Sequence, residues 1–280
     1  MKRIYKLGIG VFLLAGVSLL LYPFVSRWLS QTQQSGIIRN YQVSIAEMNR
    51  RELDTQWQKA FDYNEALLGP LAANADFSNL NTKGSAEYES VLNAALEIGY
   101  VEIPVIDTRL PIYHGASDVI LKKGVGHMAN TAYPLGTQGA HSVLTGHSGL
   151  PSSMLFTKLD QVIKEDYFYI YILDEKLTYR VDSIEIILPS DTALLQPVPE
   201  KSYVTLLTCT PYGINSHRLL VRGEFVSRER IGDAAPQASA ALKLIGIRNA
   251  AALLLIAVAV CTHLLILLFF YIRKGRTFTQ

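Results

Sequence analysis

The chain has 280 residues, with 26 Lys plus Arg against 24 Asp plus Glu, a formal net charge of +2. That near balance, with no lysine or arginine cluster along the middle of the chain, argues against nucleic acid as a partner. Two cysteines, Cys209 and Cys261, are too few for a disulfide-built fold. No Cys-x-x-Cys, His-Glu-x-x-His or tight His-x-His spacing offers a metal site, and no glycine-rich phosphate loop or Gly-x-Ser-x-Gly elbow is present.

In chain order, residues 1–6 form a short basic tail with Lys2, Arg3 and Lys6. Residues 7–25 carry no charge and have the length of a transmembrane helix. A removable signal peptide competes for the same stretch, but no clean small-x-small cleavage site follows it. Residues 26–97 are expected to hold N-terminal helices. Within them, Ile38, Tyr41, Ile45, Met48 and Leu53 recur at helical spacing and predict one helix over 35–68, stopped by Gly69-Pro70. A small, polar loop follows over 71–84, then a short helix over 85–95.

From residue 98 the texture becomes β. Strands are predicted over 100–106, 110–113, 142–145, 167–173, 177–181, 184–188, 203–208 and 219–226, with Pro104 marking the first as bent or at an edge. Many short strands between turn signals indicate an all-β barrel or sandwich over 98–228. Residues 229–249 read as a polar linker. Residues 250–271 form a second uncharged membrane segment, followed by a tail over 272–280 with Arg273, Lys274 and Arg276. Positive flanks stay in the cytoplasm, which places both termini inside and the β region outside the cell membrane.

This topology isolates Cys209, because Cys261 falls in the second membrane segment. An unpaired thiol in an oxidising compartment is a liability unless it is used or shielded. Cys209 ends the apolar run Val204-Thr-Leu-Leu-Thr, and Arg218 heads the next strand nine positions on. A nucleophile and a cation for a developing oxyanion would then share one rim. Of the six histidines, His263 lies in membrane material, and His217 alternates away from Arg218. His114 and His127 sit in turn-like contexts, while His141 and His147 bracket the strand over 142–145. His147, followed by Ser148-Gly149, is the best placed base. Asp174-Glu175 read as turn residues.

The assembled segments resemble the sortases, membrane-anchored cysteine transpeptidases of Gram-positive bacteria. They are Ile103-Pro-Val-Ile-Asp107, Leu110-Pro-Ile-Tyr-His-Gly115, Gly124-Val-Gly-His127, Ser142-Val-Leu-Thr-Gly-His147 and Val204-Thr-Leu-Leu-Thr-Cys209-Thr-Pro-Tyr-Gly-Ile-Asn-Ser-His-Arg218. The form of the last segment, with a second membrane helix after it, is similar to class C, the pilin-polymerising group. The resemblance implies a closed eight-stranded β-barrel with N-terminal helices and a catalytic trio of Cys209 (nucleophile), His147 (general acid/base) and Arg218 (substrate and oxyanion stabilisation).

It further implies cleavage of an LPXTG-like sorting signal between Thr and Gly through a thioester, with a lysine amine of the next pilin subunit as acceptor. No cofactor or metal is implied. The partners would be pilin or surface-protein substrates, with no nucleic acid. Class C members carry an Asp-Pro-aromatic lid before the barrel. The nearest match here is Asp76-Phe77, which lacks the proline. Attachment of surface proteins to peptidoglycan, purely hydrolytic thiol protease activity and a non-enzymatic adhesin remain the alternatives.

Overall fold

The structure, a computed structural model, describes residues 2–68, 84–150 and 153–231. The segment expected over 250–271, the tail over 272–280, most of the linker, and Asp76 and Phe77 of the candidate lid lie outside the described residues. The chain divides into two compact units, residues 1–28 with 234–280, and residues 29–233. The described part of the first is the start of helix α1 (Lys2–Glu47). Among the described residues this is the one helix long and apolar enough to cross a membrane.

Two helical expectations are corrected in the second unit. The helix predicted over 35–68 is two helices, because the chain breaks at Met48-Asn49 and restarts as α2 (Arg50–Leu68). Asn49 and Glu52 form a reciprocal cap: the Glu52 N–H donates to Asn49 Oδ1 at 3.1 Å and the Asn49 N–H donates to Glu52 Oε2 at 2.9 Å. The helix predicted over 85–95 is the shorter α3 (Ala86–Ser90), capped by Ser85. On α1, Gln34, Ile38, Tyr41 and Ile45 are buried, and on α2 Leu53, Trp57, Ala60 and Asn64. These three- and four-residue steps mark one packed face on each helix.

The barrel strands are β1 (Glu97–Ile103), β2 (Thr108–His114), β3 (Val125–His127), β4 (His141–Thr145), β5 (Tyr167–Ile172), β6 (Glu175–Ile187), β7 (Tyr203–Thr210) and β8 (His217–Arg230). A fourth short helix, α4 (Asp118–Leu121), joins β2 to β3. The order around the closed barrel is β1-β2-β3-β4-β7-β8-β6-β5, with β5 returning to β1. The β2–β3 and β4–β7 pairs are parallel and the others antiparallel.

Eight strands were expected, but not these eight. The runs predicted over 177–181 and 184–188 are one strand, β6, whose register shifts between Val181 and Ser183. Asp182, which resembles a turn residue, lies at that shift. It takes a bidentate pair from Arg222, with Nε at 3.1 Å and Nη2 at 2.7 Å. The eighth strand is β3, only three residues long. Pro104 does not mark a barrel edge. It starts a 3-10 turn over Pro104–Ile106, and β1 is paired on both sides. Strand β8 runs to Arg230, two residues past the expected boundary.

The barrel interior is aliphatic and aromatic, with Val101, Ile103, Ile112, Leu144, Phe168, Ile170, Tyr179, Val204, Leu206 and Val221 all fully buried. Each such side chain contributes roughly 1.5–3 kcal/mol by leaving water. A second cluster, Met128, Val143, Ile187, Leu195, Leu207 and Leu220, packs on the alternate face of β4, β7 and β8. The candidate site continues that second face.

Candidate active site

Strands β7 and β8 are antiparallel, and their register sets Cys209 directly opposite Arg218. Alternation puts Cys209 on the same face as Leu207, and Arg218 on the same face as Leu220. Both therefore stand at the end of the apolar floor formed by Val143, Leu207 and Leu220. The connecting residues 211–216 are all exposed and include Tyr212 and Ile214.

His147 arrives from the other side of β7. The β4–β7 ladder is parallel and pairs Thr145 with Leu207. Two further steps along each chain bring His147 level with Cys209. The approach is held by the Gly146 N–H, which donates to the Leu207 carbonyl at 3.0 Å, and by the Thr208 hydroxyl, which donates to the Gly146 carbonyl at 2.7 Å. Residue 146 must be small, because a Cβ there would lie 2.7 Å from the Phe156 ring. Gly149, with φ of +82°, turns the chain away after His147.

The three candidate groups differ in how they are satisfied. Cys209 is a half-buried free thiol. The Arg218 Nη1 donates to the carbonyls of Asn215 at 3.2 Å and His217 at 3.1 Å. Its Nε is buried without a hydrogen-bond partner among the described residues. A guanidinium held by two carbonyls and by no described carboxylate retains its full charge for an incoming anion. His147 is half-buried, and no described residue is hydrogen-bonded to its ring. Burial lowers its pKa; Asp118 pulls in the opposite direction and Lys122 adds to the lowering.

The other described histidines are each engaged by a ring hydrogen bond. His141 is buried, with Nδ1 facing the Gln196 carbonyl at 3.1 Å and Nε2 facing the Thr205 hydroxyl at 2.7 Å. Burial pushes its pKa down to about 4. His127 is fully buried between Tyr88 and Ala132, and burial pushes it down to about 3. The His114 Nε2 sits 2.8 Å from the Val91 carbonyl. His217 is half-buried, 2.8 Å from the Ser216 hydroxyl.

Asp174 is more than a turn residue. It accepts from Arg50 at 2.8 Å and from the Trp57 indole at 3.1 Å, tying α2 to the barrel. Among the described residues, no group of three or more His, Cys, Asp or Glu side chains could hold a metal ion. The sequence reading missed Asp118 and Lys122. They lie 29 and 25 positions before His147, and only the β2–β3–β4 pairing connects their neighbourhoods.

A family model described as the sortase domain matches residues 101–226. Among curated proteins, sortase D of Bacillus subtilis is 30% identical over 132 residues, covering 46% of this chain and 64% of that protein. Sortase A of Streptococcus agalactiae is 31% identical over 144 residues, covering 48% of this chain and 57% of that protein. The chain thus spans less than two thirds of the length of these two relatives. Solved structures match more completely. Sortase C1 from Streptococcus agalactiae is 38% identical, with a TM-score of 0.61, covering 68% of this chain and 97% of that one. Sortase C of Streptococcus pneumoniae is 39% identical, with a TM-score of 0.61, covering 69% and 97%.

Proposed function

This chain belongs to the sortase family, and we propose that it is a class C-like sortase, a membrane-held cysteine transpeptidase that joins pilin subunits. The observation that carries the reading is the rung that pairs Cys209 with Arg218, with His147 brought to the same level along β4. The structure reported for the Streptococcus pneumoniae sortase C concerns its pilin substrate specificity, and one from Group B Streptococcus is pilus-related. These likenesses favour a pilin over a peptidoglycan acceptor.

In the proposed reaction the Cys209 thiolate attacks the Thr carbonyl carbon of an LPXTG-like signal. Negative charge develops on the carbonyl oxygen, within the field of Arg218. The Thr–Gly C–N bond breaks as His147, protonated, gives its proton to the leaving amine. A thioester to Cys209 remains. A lysine amine of the next subunit then attacks the thioester carbon and loses a proton to His147, and the Cys209 thiolate leaves. The absence of a described hydrogen bond on His147 supports this use of the ring, since either nitrogen is available to the substrate. The resemblance adds Asp76 and Phe77 as lid residues, and the N-terminal apolar helix supports membrane anchoring.

The test is incubation of the protein with an LPXTG-type peptide and an amine nucleophile, followed by mass spectrometry. An amine adduct is expected. Hydrolysis with no adduct would replace this reading by a thiol protease, and no cleavage at all would remove the activity.

A further inference from the structure

We propose that Ser148 is a positioning residue, whose hydroxyl fixes the spacing between His147 and Cys209 by replacing a missing rung of the β4–β7 ladder. The proposal rests on the reading of Cys209 and His147 given above. In a parallel ladder the backbone bonds repeat every second residue. The Gly146 N–H donates to the Leu207 carbonyl at 3.0 Å, so the next rung would run from the Ser148 N–H to the Cys209 carbonyl. The backbone has already bent away there, since β4 ends at Thr145 and Gly149 has a positive φ. The Ser148 side chain makes the bond instead, donating to the Cys209 carbonyl at 2.6 Å.

The result is a pair of hydroxyl clamps around the reactive groups. Thr208 donates across to the Gly146 carbonyl at 2.7 Å, just before His147. Ser148 donates across in the reverse direction, just after it. The backbone of His147 is thus bracketed by two bonds to the strand that carries Cys209. This matters because the ring itself is held by no described side chain. With no such bond, the placement of its backbone carries more of the ring's position. The bond at Ser148 also ends on the nucleophile's own carbonyl, so it fixes both partners at once.

The experiment compares Ser148→Ala and Ser148→Thr with the unaltered full-length protein in detergent. The three melting temperatures are measured first. With an LPXTG-type peptide, Ser148→Ala is expected to lower kcat roughly 10- to 100-fold with little change in KM, because misplacement of the ring affects the chemical step. Ser148→Thr, which keeps the hydroxyl, should recover most of that loss. A kcat for Ser148→Ala within about twofold of the unaltered protein would overturn the proposal. So would an equal loss in both variants.

Alkylation of Cys209 by iodoacetamide across pH needs no peptide and separates this proposal from the functional one. The unaltered protein should show an inflection from His147, and Ser148→Ala should flatten it. If the unaltered protein shows that inflection, Ser148→Ala flattens it and neither acts on a peptide, the substrate reading fails and the clamp stands. An alkylation profile unchanged by Ser148→Ala overturns the clamp.

Discussion

His127 ends β3 and His147 follows β4, the next strand, yet the two rings live under opposite conditions. The His127 Nε2 faces the Ala132 carbonyl at 2.9 Å and its Nδ1 faces the Tyr88 hydroxyl at 2.9 Å. The ring also stacks on Tyr133, with centroids 4.7 Å apart and planes 8° apart. Tyr88 gives that region a further anchor, accepting the Gly115 N–H at 3.0 Å. Every polar atom of the His127 ring is occupied, and protonation would break a bond in a dry interior. His147 is half-buried and has a ring without described partners, two residues past the rung that pairs Thr145 with Leu207. The first arrangement stores stability in a fixed protonation state. The second leaves the proton free to move.

Substitution should separate the two. Cys209→Ala is expected to abolish thioester formation, seen as loss of the acyl-enzyme in mass spectra. Arg218→Ala should cost roughly 10²- to 10³-fold in rate, as removal of an oxyanion partner does. His147→Ala should lose at least about 10²-fold while the melting temperature holds. His127→Ala should do the reverse. It opens a cavity and leaves the Ala132 carbonyl without its ring partner, at a cost of about 3 kcal/mol or more in urea unfolding. Acyl transfer per folded molecule should survive. A His127→Ala protein that melts normally but fails to acylate would collapse the contrast.

Acid should reach the same distinction more gently. His127 titrates at about 3 and His141 at about 4 when folded, against roughly 6.5 when unfolded. Below pH 6.5 the unfolded chain therefore binds protons that the folded chain refuses. Stability is fully present above that pH and declines as pH falls toward 4, by up to about 1.4 kcal/mol per pH unit for each histidine. Urea midpoints measured from pH 7 to 4.5 would show this slope. The smallest effects belong to the charges around His147. Asp118→Asn should move its titration midpoint down and Lys122→Gln should move it up, both read by NMR.

Part of this candidate site was legible because two of its three residues, Cys209 and Arg218, lie along one stretch of chain. Cys209 and Arg218 flank a loop of six residues, 211–216, and strand alternation alone puts them on one face. His147 could be chosen by its place at a strand end, but nothing local says that β4 lies beside β7 in parallel, 62 residues away. The same limit hid Asp118 and Lys122. In the fold, β3 escaped because three residues are too few for a period to register. Strand β6 was cut in two because Asp182-Ser183 has turn chemistry, and only Arg222 on the neighbouring strand makes it a bulge. Helices α1 and α2 were merged because the apolar spacing continues across Met48-Asn49, while the cap depends on a side chain three residues on.

Closure of the barrel has a consequence for how a peptide is received. Every strand has a neighbour on both sides in the ring, although β6 outruns β5 and pairs with β8 alone over residues 181–187. Where β7 outruns β4, at Cys209, the carbonyl that would face outward is taken by the Ser148 hydroxyl. Beside Cys209, a guest cannot add itself as a further strand along β7. It must be read crosswise, through side chains and loops, and released without unzipping anything. A surface built to hand its cargo onward gains from holding it in that separable way.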